Sequence, residues 1–204
     1  MRFFIKRIFD IVFALIALII FLPFGLIIAI FILAGSRGGV FFVQTRVGKN
    51  NKDFRLLKFR TMTKNADKKG LLLTVGKDSR ITATGKFLRK YKLDEFPQFI
   101  NILSGKMSLV GPRPEVRKYV EMYNDEQKKI LSVKPGLTDY ASIEYINENE
   151  MLGKSADPEK TYIDEVMPAK LKLNEKYLAD VSLLHDIKIL WKTFKKVFGQ
   201  SKSI

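Results

Sequence analysis

"IVFALIALIIFLPFGLIIAIFILA", residues 11–34, runs 24 residues without a charge. As a helix it measures about 36 Å at 1.5 Å per residue, enough to cross the hydrocarbon core of a bilayer. A signal peptide is the competing reading, but the run is longer than a secretory apolar core, and the "GSRGG" that follows is a poor small-residue cleavage site. Pro23, with Phe24 and Gly25 behind it, stands mid-run. Proline has no N–H and its ring crowds the carbonyl four residues back, at Ile19, so a bend or break is expected near the bilayer midplane. Two paths stay open: a kinked helix that spans, or a re-entrant helix-break-helix hairpin whose ends share one face. Arg2, Lys6 and Arg7 precede the run, and Arg37, Arg46, Lys49, Lys52, Arg55, Lys58 and Arg60 follow it. Basic flanks prefer the cytoplasm, and only the hairpin keeps both there. Either path leaves the C-terminal bulk on the cytoplasmic side.

The remaining sequence reads as one domain, giving a division into a membrane hairpin at 1–36 and a cytosolic domain at 37–204. In a chain of 204 residues, 36 Lys and Arg against 21 Asp and Glu leave a formal charge of +15. Such a balance points to anionic partners: nucleic acid, lipid headgroups or phosphorylated substrates. The absence of cysteine excludes disulfides, a thiolate nucleophile and Cys-ligated zinc.

The domain reads as α+β and mostly helical. "GGVFFVQTRVG" and "KDFRLLKFRTM" are partly alternating apolar runs around the polar "KNNK", the pattern of a small β-hairpin. A basic, loop-rich passage, "TKNADKKGLLLTVGKDSRITATGKFLRKYK", is expected to end in a helix. In "FPQFINIL", Phe96, Phe99, Ile100 and Leu103 recur at helical spacing behind Pro97, which a first turn tolerates. "GPRP" sets two prolines around Arg113 in a rigid turn, and "VKPGLTDYAS" is a second turn. Near the C-terminus, Leu183, Leu184, Ile187, Leu190, Trp191, Phe194 and Phe198 form one apolar stripe with lysines largely off it. That helix either packs on the core or lies amphipathically in the membrane interface with Trp191 at headgroup depth. His185, the only histidine, is placed on its surface and cannot form a metal site alone.

The chemistry-bearing stretch is "KLDEFPQF", residues 92–99. Locally, Asp94 and Glu95 read as a helix cap and a first-turn acid. The alternative is a site: Lys58, Arg60, Arg89, Lys90, Lys92, Arg113 and Arg117 lie in flanking segments and could converge into a pocket for a di- or polyphosphate. A carboxylate within it could serve as nucleophile toward phosphorus or as ligand to a divalent metal.

"FFVQTRVGKNNKDFRLLKFRTM", "LRKYKLDEFPQFINILSGKMSLVGPRPE" and "VKPGLT", in that order behind an apolar N-terminal segment, resemble the bacterial sugar transferase family, the monotopic phosphoglycosyl transferases, in their minimal single-domain form. The resemblance covers nearly the whole chain to about residue 140. It implies transfer of a sugar 1-phosphate from a UDP-sugar to undecaprenyl phosphate, releasing UMP, at the cytoplasmic face of the bacterial inner membrane. Carried over residue by residue, Asp94 is the nucleophile and the ligand to Mg2+, and Glu95 its partner in metal binding or proton management. Lys58, Arg60, Arg89 and Arg113 would hold phosphate oxygens, and Pro23 would mark the break of the re-entrant hairpin. Inner-membrane lipids are the remaining expected partners, with a homodimer open to it.

The sequence departs from that pattern. Many members read Lys-Pro-Gly-x-Thr-Gly-Trp-Ala-Gln where Asp139, Tyr140 and Ser142 replace Gly, Trp and Gln. "IEYINENEMLG" lacks a common Asn-Gly-Arg pattern, and Leu22 precedes Pro23 where some relatives have Ser. The identity of the sugar is therefore not carried over. A membrane-tethered nucleic-acid binder would explain the charge, yet no nucleic-acid motif is present. A non-catalytic membrane scaffold would explain both ends but not the ordered motif series.

Overall fold

The computed structural model describes residues 2–64, 66, 73–76 and 78–199. Part of the basic passage, residues 65, 67–72 and 77, lies outside them. The chain folds mostly into helices. A single helix, α1 (Arg2–Gly35), carries the apolar run and is long and apolar enough, by length and composition, to cross a membrane. It continues through Pro23, so no non-helical break divides it. One missing N–H removes one hydrogen bond from a helix of nine turns, and the flanking turns hold the ring in place.

α1 is fastened to the rest of the molecule along its length. Lys6 donates to the Val110 carbonyl at 3.1 Å and pairs with Asp186, while Arg7 donates to the carbonyls of Ile102 and Leu103 at 2.7 and 3.1 Å. Asp10 is buried and accepts from Ser108 Oγ and Leu109 N–H. Toward the other end, Ile32 packs in a cluster with Phe59 and Leu88, with Phe21 and Ile28 against it. Hydrogen bonds to charged groups contribute about 1.5–3 kcal/mol each, so the polar N-terminal turns pin the helix firmly. Its outer face, including Ile19, Ile20, Leu22, Leu26 and Ile30, remains exposed.

The expected hairpin is β1 (Phe41–Val47) and β2 (Asp53–Phe59), antiparallel from Phe41 opposite Phe59 to Val47 opposite Asp53. After it, α2 (Ala83–Lys90) is N-capped by Thr82, whose hydroxyl accepts from Gly85 N–H. A 3-10 turn at Leu93–Glu95 leads through helical Phe96 and Pro97 into α3 (Gln98–Leu103). Asn101 on α3 reaches β2, accepting from Leu57 N–H at 2.9 Å and donating to the Arg55 carbonyl at 2.8 Å. Those two bonds fix the turn bearing Asp94 and Glu95 beside the strand bearing Lys58.

Two short strands lie parallel, β3 (Ser108–Val110) and β4 (Gly136–Thr138). Between them run α4 (Arg117–Val120) and α5 (Asp125–Lys128). Beyond β4 come α6 (Tyr140–Glu144), α7 (Glu148–Leu152), α8 (Pro158–Thr161), a π turn at Tyr162–Val166, α9 (Met167–Ala179) and α10 (Leu183–Gly199). One core cluster gathers Ala14 of α1 with Phe54, Phe99, Ile102, Met107, Leu109, Tyr177 and Ile189, and a second gathers Tyr119, Tyr123, Leu152, Tyr162 and Leu171.

The C-terminal stripe is divided: Leu190 packs against the core cluster of Ile189 and Tyr177, and part of the stripe faces outward. α10 packs through Asp186 and Ile189, whereas Leu184, Ile187, Trp191 and Phe194 are exposed, and the side chain of Phe198 lies outside the described set. Trp191 and Phe194 stack with ring centroids 5.9 Å apart, and Lys195 sits 5.2 Å over the Trp191 ring. An apolar face rimmed by lysines is what an interfacial helix presents to a leaflet. His185 is half-buried rather than on the surface, its ring against Tyr140 and Tyr177.

Candidate active site

Four segments meet at the Asp-Glu pair, two of them distant from it in sequence. β2 supplies Lys58, the 3-10 turn supplies both carboxylates, α2 supplies Arg89, and the loop after β3 supplies Arg113. Lys92 at the turn's start has a left-handed backbone, φ 57°, which redirects the chain as α2 ends. Neither acid is the expected helix cap. No side-chain capping bond is made at the start of the 3-10 turn or of α3, so the carboxylates are left for other partners.

Glu95 takes the cations. Lys58 donates to its Oε1 at 2.9 Å, and Arg113 grips both oxygens, with Nη1 3.2 Å from Oε2 and Nη2 on Oε1. Burial alone would raise the Glu95 carboxyl, but Arg113 and Lys58 outweigh it and hold the group well below the usual carboxylate range. Arg113 is in turn raised, chiefly by Glu95. Burial lowers Lys58, with Glu95 opposing that shift. Bidentate, charge-assisted pairing of this kind fixes position as well as charge.

Asp94 is left unengaged. It is 7% exposed, and its carboxylate has no hydrogen bond or ion pair among the described residues. Burial pushes its carboxyl up, Lys58 and Arg89 pull it down, and the Glu95 charge raises it further. Two neighbouring carboxyls are thus driven apart, one a locked anion and the other a free acceptor.

Arg89 near Asp94 is bonded, among the described residues, to hydroxyls alone, Nε to Thr61 Oγ1 at 2.8 Å and Nη1 to Thr74 Oγ1 at 3.1 Å. Burial lowers it, and Asp94 acts against that shift. Lys92 also acts on Asp94 through its charge. Other expected members lie elsewhere. Arg60 folds over Gly38, where a methyl would stand 1.6 Å from its Nη1. Arg117 binds Asn51 and Asp53, and Lys90 lies over the Tyr91 ring. Two residues apart, Lys58 and Arg60 would share a strand face, but β2 ends at Phe59 and Arg60 beyond it turns to Gly38.

Asp139 belongs to this neighbourhood, although its sequence signal was only the replacement of a family glycine. It is fully buried, caps α6 through Ser142 N–H at 2.6 Å, and accepts from the backbone N–H of Arg113 at 3.1 Å. The loop it holds leaves β3 where Gly111 and Gly136 touch: a methyl on Gly136 would lie 2.1 Å from Gly111 N. Asp139→Ala strands two buried donors and is expected to cost about 2 kcal/mol. The check is a shifted urea midpoint at unchanged slope.

Magnesium can be tested against these donors. Among the described residues, no group of three or more His, Cys, Asp or Glu could hold a metal unaided. Mg2+ does not need such a cage, since it binds one or two carboxylates together with substrate phosphates. The unengaged Asp94 carboxylate is a hard oxygen donor of the required kind, whereas the Glu95 oxygens are already occupied. The fit is therefore to an ion shared with a bound diphosphate.

A family model described as bacterial sugar transferase matches residues 1–200. The chain belongs to the bacterial sugar transferase family. This sugar transferase is 39% identical over 197 residues to the UDP-N-acetylgalactosamine-undecaprenyl-phosphate N-acetylgalactosaminephosphotransferase of Aeromonas hydrophila, covering 95% of this chain and 44% of that protein. It is 36% identical over 197 residues to the UDP-glucose:undecaprenyl-phosphate glucose-1-phosphate transferase of Escherichia coli K12, covering 95% and 40% respectively. The uncharacterized sugar transferase EpsL of Bacillus subtilis is 38% identical over 197 residues, with 95% and 87% covered. The chain thus spans less than half the length of the first two relatives and most of the third.

Proposed function

We propose that this sugar transferase moves a sugar 1-phosphate from a UDP-sugar to undecaprenyl phosphate through a covalent intermediate on Asp94. The observation that carries the reading is a buried carboxylate free of partners beside a second one saturated by Lys58 and Arg113. An Asp94 oxygen attacks the β-phosphorus, the bond from that phosphorus to the bridging oxygen breaks, and UMP leaves with the electron pair. A phosphate oxygen of the lipid then attacks the same phosphorus, releasing the Asp94 carboxylate and yielding a lipid diphosphate sugar. Arg89 and Lys58 balance charge on the phosphoryl oxygens in transit. Glu95 positions Lys58 and Arg113 and takes no part in bonding changes. When bound, Mg2+ held by Asp94 and the diphosphate would neutralise developing charge. The relatives named for undecaprenyl-phosphate transfer support this substrate pair.

Incubation with magnesium, undecaprenyl phosphate and a panel of UDP-sugars should release UMP only when lipid and a suitable donor are both present. No lipid-dependent UMP with any donor would sink the assignment.

The same reading places α1 in a single leaflet as a bent, re-entrant element at 1–36, with the domain at 37–204 resting on the cytoplasmic face of the inner membrane. Both ends of α1 being tied to one domain supports it, since a spanning helix would carry one end away. The outward face of α10 and exposed Phe87 on α2 and Ile100 on α3 supply further apolar surface. In a chain without native cysteine, Phe3→Cys and Arg37→Cys should both resist an impermeant maleimide in spheroplasts and react after lysis. Labelling of Phe3→Cys in intact spheroplasts would exclude the hairpin.

A further inference from the structure

We propose that Arg7 and Lys134 form a binding site for the phosphate of an anionic phospholipid, at the point where α1 enters the leaflet. This rests on the membrane placement of α1 given above. The two cations converge on Gly105, just past the end of α3. A methyl built there would stand 3.6 Å from Arg7 Nη2 and 3.7 Å from Lys134 Nζ, so the nitrogens are at most about 7 Å apart. Two hydrogen bonds of about 2.8 Å to separate oxygens of one phosphate can bridge that gap. Gly105 has φ +79°, a conformation that suits glycine and keeps the space between the cations free of a side chain.

Among the described residues no carboxylate forms an ion pair with either cation. Arg7 is spent on two neutral carbonyls, those of Ile102 and Leu103, and Lys134 makes no hydrogen bond or ion pair among the described residues. Burial pushes the Lys134 ammonium down, as do Arg7, Lys49 and Lys6. Asp10 is the one acid that opposes them, and its oxygens already accept from Ser108 and Leu109. Lys6 is turned to Asp186. A bound phosphate would supply the missing charge.

The surroundings favour a lipid as the source. Phe3, Phe4 and Ile11, one turn either side of Arg7 on α1, are exposed and offer apolar surface for acyl chains beside the headgroup. A net-anionic headgroup matches the unbalanced pair better than a zwitterionic one.

The test uses the full chain in nanodiscs of equimolar phosphatidylglycerol and phosphatidylcholine, with the lipids retained on release counted by native mass spectrometry. The protein should retain phosphatidylglycerol in preference. Lys134→Gln should cut that retention about fivefold, the effect of one basic residue at an anionic surface. Lys134→Arg should restore it, and Lys128→Gln on α5, whose lysine pairs with Asp125, should leave it unchanged. Undiminished phosphatidylglycerol on Lys134→Gln overturns the proposal. So does its displacement by inorganic phosphate, which would mark a site for a soluble anion. Loss of both lipids from the unaltered protein, with recovery in the soluble fraction, would instead overturn the membrane placement and this site with it.

Discussion

Asp94→Asn is expected to lose on the order of 10⁴-fold in turnover, the scale seen when a covalent nucleophile is removed, and to melt at the same temperature as the unaltered protein or higher. The two halves of that result come from one fact. A buried carboxylate without a partner destabilises the folded state, and a neutral amide of the same shape relieves it. Because the Asp94 carboxyl lies above its ordinary value, the folded state holds that proton more tightly than the unfolded chain. Its contribution to stability therefore improves as pH falls through the raised pKa. Turnover runs the other way, since only the ionised oxygen attacks, and should rise with pH through the same value. Intact-mass spectrometry after donor is added without lipid should find a sugar-phosphate adduct that Asp94→Asn lacks. Full activity in Asp94→Asn, or a melting point several degrees lower, would make the residue structural.

Glu95→Ala should do the reverse to stability. It leaves Lys58 and Arg113 facing one another without the anion that now joins them. Removing one partner of a buried pair costs several kcal/mol; since Arg113 is about a third exposed, about 3 kcal/mol is expected here. For a chain of this size that lowers Tm by about 6–12 °C. The pH dependence has the opposite sign to that of Asp94. The Glu95 carboxyl is held well below 4.5, so its stabilisation is fully present above that ordinary value and is lost as pH falls through the lowered one. A melt of Glu95→Ala within a degree of the unaltered protein would remove Glu95 as the anchor. Opposite pH behaviour from adjacent residues is hard to produce by a general loss of packing.

Much of this was readable from residues alone because the signals were long or chemically singular. The 24-residue uncharged run is solvated by only one kind of medium, and the alternation in "FFVQTRV" and "DFRLLKF" admits little but a strand pair. The parallel pair β3 and β4 was not legible: three residues each, set among glycine and proline, leave no period to detect. What joins them is the close approach of Gly111 and Gly136, a tertiary fact. Where a bend or break was expected at Pro23, the helix assignment runs on from Arg2 to Gly35, since one lost hydrogen bond need not end a long helix. For α10 the stripe was right and its direction open, because a sequence shows that a face is apolar without showing what it meets. Similarly, the Asp-Glu pair was visible, while the division of partners between them depends on Lys58 and Arg113 arriving from 37 and 18 residues away.

Phe96, the residue directly after Glu95, stacks on Phe21 of α1 with ring centroids 3.4 Å apart. Under the membrane placement and chemistry proposed above, this contact would work as a height gauge: the altitude of the two carboxylates above the lipid would be referred to a ring inside the apolar run, so the chemistry would be offered at one level only. An acceptor whose phosphate rides higher or lower would be turned away irrespective of its headgroup, and a detergent that slides between the rings would silence the protein without disturbing a polar atom.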